Sequence, residues 1–116
     1  MKKIATLAIM LITGMSFAQS ENPTYEVKGD LVKATYYYDN GNIEQEGYFK
    51  DNKLQGTWNY FNQEGKKVAI GNYALGKKVG KWFFWSNGTL KEVSFEDQKI
   101  ASINEWKEKT VVVSNE

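Results

Sequence analysis

The sequence predicts an all-β protein, an antiparallel β-meander of repeated hairpins, and three observations predict it. The chain matches itself at a shift of 24 residues. Inside each repeat, rings alternate with smaller or polar side chains, the period of two that belongs to a half-buried strand. Between the alternating runs stand turns rich in Gly and Asn, with Asn40-Gly41 and Asn87-Gly88 as strong short-range hairpin signals.

The shift aligns Gly41 with Gly65, Gly47 with Gly71, Gly56 with Gly80 and Trp58 with Trp82. Tyr36, Tyr60 and Phe84 fall in one column, and Tyr37, Phe61 and Trp85 in the next. The match runs over residues 34–85; residues 90–100 keep its outline with a deletion, and 100–106 keep little. Atypical end units are expected where terminal repeats cap an array.

Each unit reads as two strands. In the segment 56–61, Trp58 and Tyr60 point to one side while Thr57 and Asn59 point to the other. Asn62-Gln63-Glu64-Gly65 is a turn, 68–74 a second strand, and Leu75-Gly76-Lys77 the next turn. Gly47 and Gly71 fall inside strands, where Gly costs roughly 0.5–1 kcal/mol relative to Ala. Their recurrence predicts that Trp58 and Trp82 lie across the bare backbone. Pro23, the one proline, stands outside the array. Residues 103–109 hint at helical spacing over too short a stretch to define a helix, and Thr110-Val111-Val112-Val113 reads as a last short strand.

The ends carry different signals. Lys2 and Lys3 precede a nearly unbroken apolar run at 4–15, followed by Ser16-Phe17-Ala18. This is the layout of a signal peptide, with the cut expected between Ala18 and Gln19. The run is shorter than the roughly 20 residues a membrane-spanning helix needs. The expected division is a signal peptide at 1–18, a leader with a possible first strand at 19–30, the repeat sheet at 31–106, and a C-terminal strand or tail at 107–116. The expected location is the periplasm or the exterior. Without residues 1–18, 98 residues remain, with 13 lysines against 14 acidic side chains. So balanced a domain has no global field to attract nucleic acid.

The chain has no Cys, His or Arg. Disulfides, thiolate metal sites, imidazole catalysis and bidentate guanidinium recognition are therefore absent from its repertoire. No enzyme activity, cofactor or metal is expected. Gly71-Asn-Tyr-Ala-Leu-Gly76-Lys77 begins like a phosphate-binding loop, but Lys78 stands where the Mg²⁺-binding hydroxyl belongs. Asp39-Asn-Gly-Asn42 resembles the start of a calcium loop without its other ligands, and a hairpin turn explains it. Asn87-Gly-Thr89 fits an N-glycosylation sequon and equally a tight turn. Glu44, Glu46, Glu92, Glu96 and Asp97 could supply paired carboxylates, but Glu44 and Glu46 read as members of a solvated charged face. The turn lysines 53, 66, 67, 77, 78 and 81 read as solubilising edge charges.

The segments Gly47-Tyr-Phe-Lys-Asp-Asn-Lys-Leu-Gln-Gly-Thr-Trp-Asn-Tyr-Phe61 and Gly71-Asn-Tyr-Ala-Leu-Gly-Lys-Lys-Val-Gly-Lys-Trp-Phe-Phe-Trp85 resemble MORN repeats. The resemblance is closest to the bacterial MORN-variant form, which also occurs in antitoxin components of toxin–antitoxin systems. Two full and two partial units cover roughly residues 31–106. The resemblance implies a twisted single-layer antiparallel sheet, with Gly47, Gly56, Trp58, Tyr60, Gly71, Gly80, Trp82 and Phe84 as its structural positions. It also implies roles in protein contact, scaffolding or, in some eukaryotic members, membrane association. An antitoxin belongs in the cytoplasm, so the export signal points away from that role.

A single layer cannot bury both of its faces. Tyr36, Trp58, Tyr60, Trp82 and Phe84 can form a core face, which leaves Tyr37, Phe61, Phe83 and Trp85 pointing the other way as a candidate interaction surface. The expected function is a protein-interaction or scaffold module of the cell envelope. Its partner is expected to be protein, or a second copy joined through a sheet edge or the aromatic face. The alternative is a carbohydrate- or lipid-binding module using exposed Trp, Tyr and Lys.

Overall fold

The computed structural model describes residues 22–108. The signal-peptide segment and its cut site, residues 19–21 and the strand expected at 110–113 lie outside the described residues. The described chain forms strands β1 (Thr24–Lys28), β2 (Leu31–Tyr37), β3 (Ile43–Lys50), β4 (Lys53–Phe61), β5 (Lys67–Ala74), β6 (Lys77–Lys78), β7 (Gly80–Ser86), β8 (Thr89–Glu96) and β9 (Lys99–Lys107). They make one open antiparallel sheet in the order β1-β2-β3-β4-β5-β7-β8-β9, with β6 also pairing β5. The chain is thus the all-β meander of hairpins that its period predicts. Where helical spacing was hinted at after Ile103, the chain continues β9 to Lys107.

Turn chemistry explains the hairpins. Asp51-Asn52, Leu75-Gly76, Asn87-Gly88 and Asp97-Gln98 all place two successive residues at positive φ, the backbone that matches the twist of the flanking strands. The loops 38–42 and 62–66 are longer. In each, a Gly at positive φ (Gly41 at 91°, Gly65 at 87°) closes a wider turn. Gly41 N–H donates to the Tyr38 carbonyl at 2.9 Å and Gly65 N–H to that of Asn62 at 3.0 Å. The deletion in the third repeat is the exchange of such a loop for the two-residue Asn87-Gly88 turn.

Each long loop is followed by a register shift that leaves one residue extra. Tyr36 faces Gln45 but Tyr37 faces Ile43, so Glu44 is the bulge residue. Val68 is its equivalent in the next unit, since Tyr60 faces Ala69 and Phe61 faces Lys67. A larger irregularity follows the short turns. Glu46 faces Asn59 and Tyr48 faces Gln55, so Gly47 alone spans the length of Gly56, Thr57 and Trp58. The gap between β6 and β7 at Val79 is the same irregularity one repeat later.

These bulges build the core. The Trp58 indole lies on Gly47 and the Trp82 indole on Gly71, so closely that a Cβ on either glycine would collide with the ring. Each indole N–H then donates to the carbonyl of the next residue: Trp58 to Tyr48 and Trp82 to Asn72, both at 3.1 Å. With no second layer among the described residues, the sheet buries its aromatics by laying them down over the neighbouring strand. Phe49 meets Trp58 edge-on at 5.2 Å and Tyr73 meets Trp82 edge-on at 5.0 Å. Ala34, Tyr36, Leu54, Tyr60, Ala69 and Val93 complete the buried cluster, with Phe84 and Phe95 packed against it.

Candidate functional site

The side of the sheet away from this cluster carries the four aromatics expected to form a surface. Tyr37, Phe61 and Phe83 are half-buried and only Trp85, at 40%, is largely open. Phe83 and Trp85 come together, stacked with centroids 6.3 Å apart and planes 28° apart. Tyr37 and Phe61 hold the positions equivalent to Trp85 on β2 and β4, with one strand between each and the next. The Tyr37 hydroxyl lies 3.4 Å from Thr24 Oγ1, and the Lys67 ammonium stands 6.0 Å from the Phe61 ring centroid. The exposed aromatic surface is therefore concentrated at one end, on β7–β9.

That end contains a residue the sequence did not single out. Trp85 faces Leu90 across β7–β8, and Leu90 faces Trp106 across β8–β9. The three side chains line one open cavity of about 730 Å³ between the 62–66 loop, the Asn87-Gly88 turn and the end of β9. Trp106 is 51% exposed. Its rim is polar, with Glu64, Lys66, Lys67 and Lys107 among the lining residues. The loop is held rigid because Asn62 Oδ1 accepts the N–H groups of Glu64 and Lys66, both at 3.0 Å. On the far side, Glu108 N–H donates to the Gly88 carbonyl at 2.6 Å, which ties the end of β9 to the turn.

Among the structural positions, Gly47, Trp58, Tyr60, Gly71 and Trp82 are buried, and Phe84 is half-buried against the core. Gly56 and Gly80 sit at φ 76° and 64° in the bulges. The segment resembling a phosphate loop is β5, a two-residue turn and β6, and its Lys78 ammonium rests 5.3 Å from the Trp82 centroid and 5.5 Å from that of Phe95. Cation–π attraction to the core accounts for that lysine.

One expectation is overturned. Glu44 does not lie on a solvated face: it is only 3% exposed, and neither carboxylate oxygen has a hydrogen-bond partner among the described residues. The bulge turns it inward at the place that Val68 fills in the next unit. Burial, and then the nearby Asp39 charge, push its carboxyl up to about 7. The neighbouring Gln45 is also fully buried, and its side-chain amide also lacks a partner among the described residues.

No protein-family model matches this chain, and no curated protein matches it in sequence.

Proposed function

We propose that this chain is an exported, non-enzymatic interaction module of the cell envelope, a MORN-like array that binds protein along the open β9 edge. The observation carrying this reading is the state of β9. Among the described residues it is the last strand in the sheet order, every residue along it is exposed, and it presents Ile100, Ile103 and Trp106, each more than half exposed. Free edges are normally blunted by proline, charged side chains, bulges or short length, because an unpaired row of N–H and C=O groups recruits another strand; β9 has one bulge, at Ala101, and carries its charges, Lys99, Glu105 and Lys107, toward its ends. β9 has nine residues and no proline. An incoming extended segment gains main-chain hydrogen bonds along such an edge and apolar contacts from alternate side chains. The export part rests on the Lys2–Ala18 layout. The 24-residue unit and its Gly–Trp pairs support the MORN-like reading. The lack of Cys, His and Arg supports a binding role over catalysis.

The test is site-specific photo-crosslinking in the native envelope, with the reactive group placed at Ile103 or, as a control, at Thr57. A discrete protein adduct from Ile103 and none from Thr57 is expected, with Ile100→Lys abolishing it. Equal labelling from the two positions, or no protein adduct, overturns the proposal.

A further inference from the structure

We propose that the cavity between the 62–66 loop and β9 is a glycan-binding cleft, taking an extended β-1,4-linked chain of pyranose rings across Trp85 and Trp106. The four tryptophans divide sharply. Trp58 and Trp82 are almost wholly buried over glycines, while Trp85 and Trp106 are 40% and 51% exposed. Both exposed indoles line the same cavity of about 730 Å³. Nothing in the core requires them there.

Their spacing selects the ligand. Trp85, Leu90 and Trp106 are register partners on three adjacent strands. Two strand intervals separate the indole positions by ~10 Å. That is the length of the disaccharide repeat in an extended β-1,4-linked glycan. Alternate sugars thus meet an indole, with Leu90 beneath the ring between them. A pyranose offers an apolar C–H face to an aromatic ring and hydroxyls around its edge. The cleft answers both, with indoles at its floor and Glu64, Lys66, Lys67 and Lys107 around it. The floor is also preorganised: Trp85 is stacked on Phe83, and Glu108 fixes the end of β9 to the Gly88 carbonyl. Ile103 faces Val93 and Ile100 faces Phe95, so of the three large apolar side chains of β9 only Trp106 belongs to the cleft.

The test titrates the full chain with the tetrasaccharides of β-1,4-linked glucose and β-1,4-linked N-acetylglucosamine, and with their monosaccharides, following tryptophan fluorescence and heat. Saturable binding of at least one tetrasaccharide is expected, about tenfold or more tighter than its monosaccharide. Trp106→Ala and Trp85→Ala each weaken it about tenfold or more, and Ile103→Ala leaves it unchanged. Circular dichroism checks the fold of each variant; should Trp85→Ala unfold, Trp106→Ala, on the fully exposed strand, decides. No saturable change with either tetrasaccharide, affinity equal to that for the monosaccharide, or binding that survives Trp106→Ala overturns the proposal.

Discussion

At the scale of single residues, two positions show how tightly the sheet constrains its side chains. Gly71 carries the Trp82 ring directly on its backbone. Gly71→Ala should destabilise the chain by roughly 1–3 kcal/mol, because neither strand nor indole can retreat without losing the bond to Asn72. Thermal unfolding measures this, and a double-mutant cycle isolates it. In a Trp82→Ala background the added methyl should cost little, giving a coupling energy of roughly 1–2 kcal/mol. Glu44 is the opposite case, a side chain held where its chemistry does not suit it. Its folded-state carboxyl titrates near 7, against an ordinary value of 4.5. Between those values the folded chain binds more protons than the unfolded chain, so stability falls as pH rises through that window. The contribution is fully present below about pH 4.5 and lost above about pH 7. Glu44→Val, which installs the next unit's residue, should flatten this part of the pH profile and raise the melting temperature at pH 8. An unchanged profile in denaturation experiments from pH 4 to 8 would show that Glu44 is not held protonated.

At the scale of elements, the hairpins are set by their turns, and one turn is poorly matched to its residue. Leu75 adopts φ 49° while half of its surface faces water. A positive φ costs an ordinary L-residue roughly 1–2 kcal/mol, and Asn tolerates it better. Leu75→Asn, which creates an Asn-Gly turn and keeps the 2.8 Å bond from the residue 75 N–H to Gln55 Oε1, should stabilise the fold by about 0.5–1 kcal/mol. Equilibrium denaturation checks it.

Strand order and the Gly–Trp pairing were legible in the chain because Gly and Trp are chemically distinctive and recur at the same offsets. Two features were not, for related reasons. Ile100, Ile103 and Trp106 are spaced by three, which imitates a helix; β9 is exposed on both faces and has a register shift near Ala101, so no burial enforces alternation. The cavity wall formed by Trp106 was hidden with it. Glu44 was misjudged because a bulge residue leaves the alternation by which a strand's inner and outer faces are read.

At the scale of the whole molecule, every substantial contact joins strands that neighbour one another in the sheet. The links between units are short and local. Tyr38 Oη donates to the Phe61 carbonyl at 2.7 Å, and Asn40 and Asn42 both donate to that of Gln63 at 2.8 Å. At the other end, Gly76 N–H donates to the Leu54 carbonyl at 2.8 Å. Stability should therefore be graded along the array. Amide exchange is expected to be slowest in β3–β5, which pack on both sides, and fastest in β9. Uniform protection across β3–β9 would show a single cooperative block.

The way each indole covers the strand before it also makes the architecture open-ended. Because successive units meet through the same bare glycine and indole-accepting carbonyl, a further 24-residue segment could be spliced in after Phe61 without redesigning what flanks it. The protein is in this sense a measured length of ribbon, whose reach can change by whole units while its two tips stay the same.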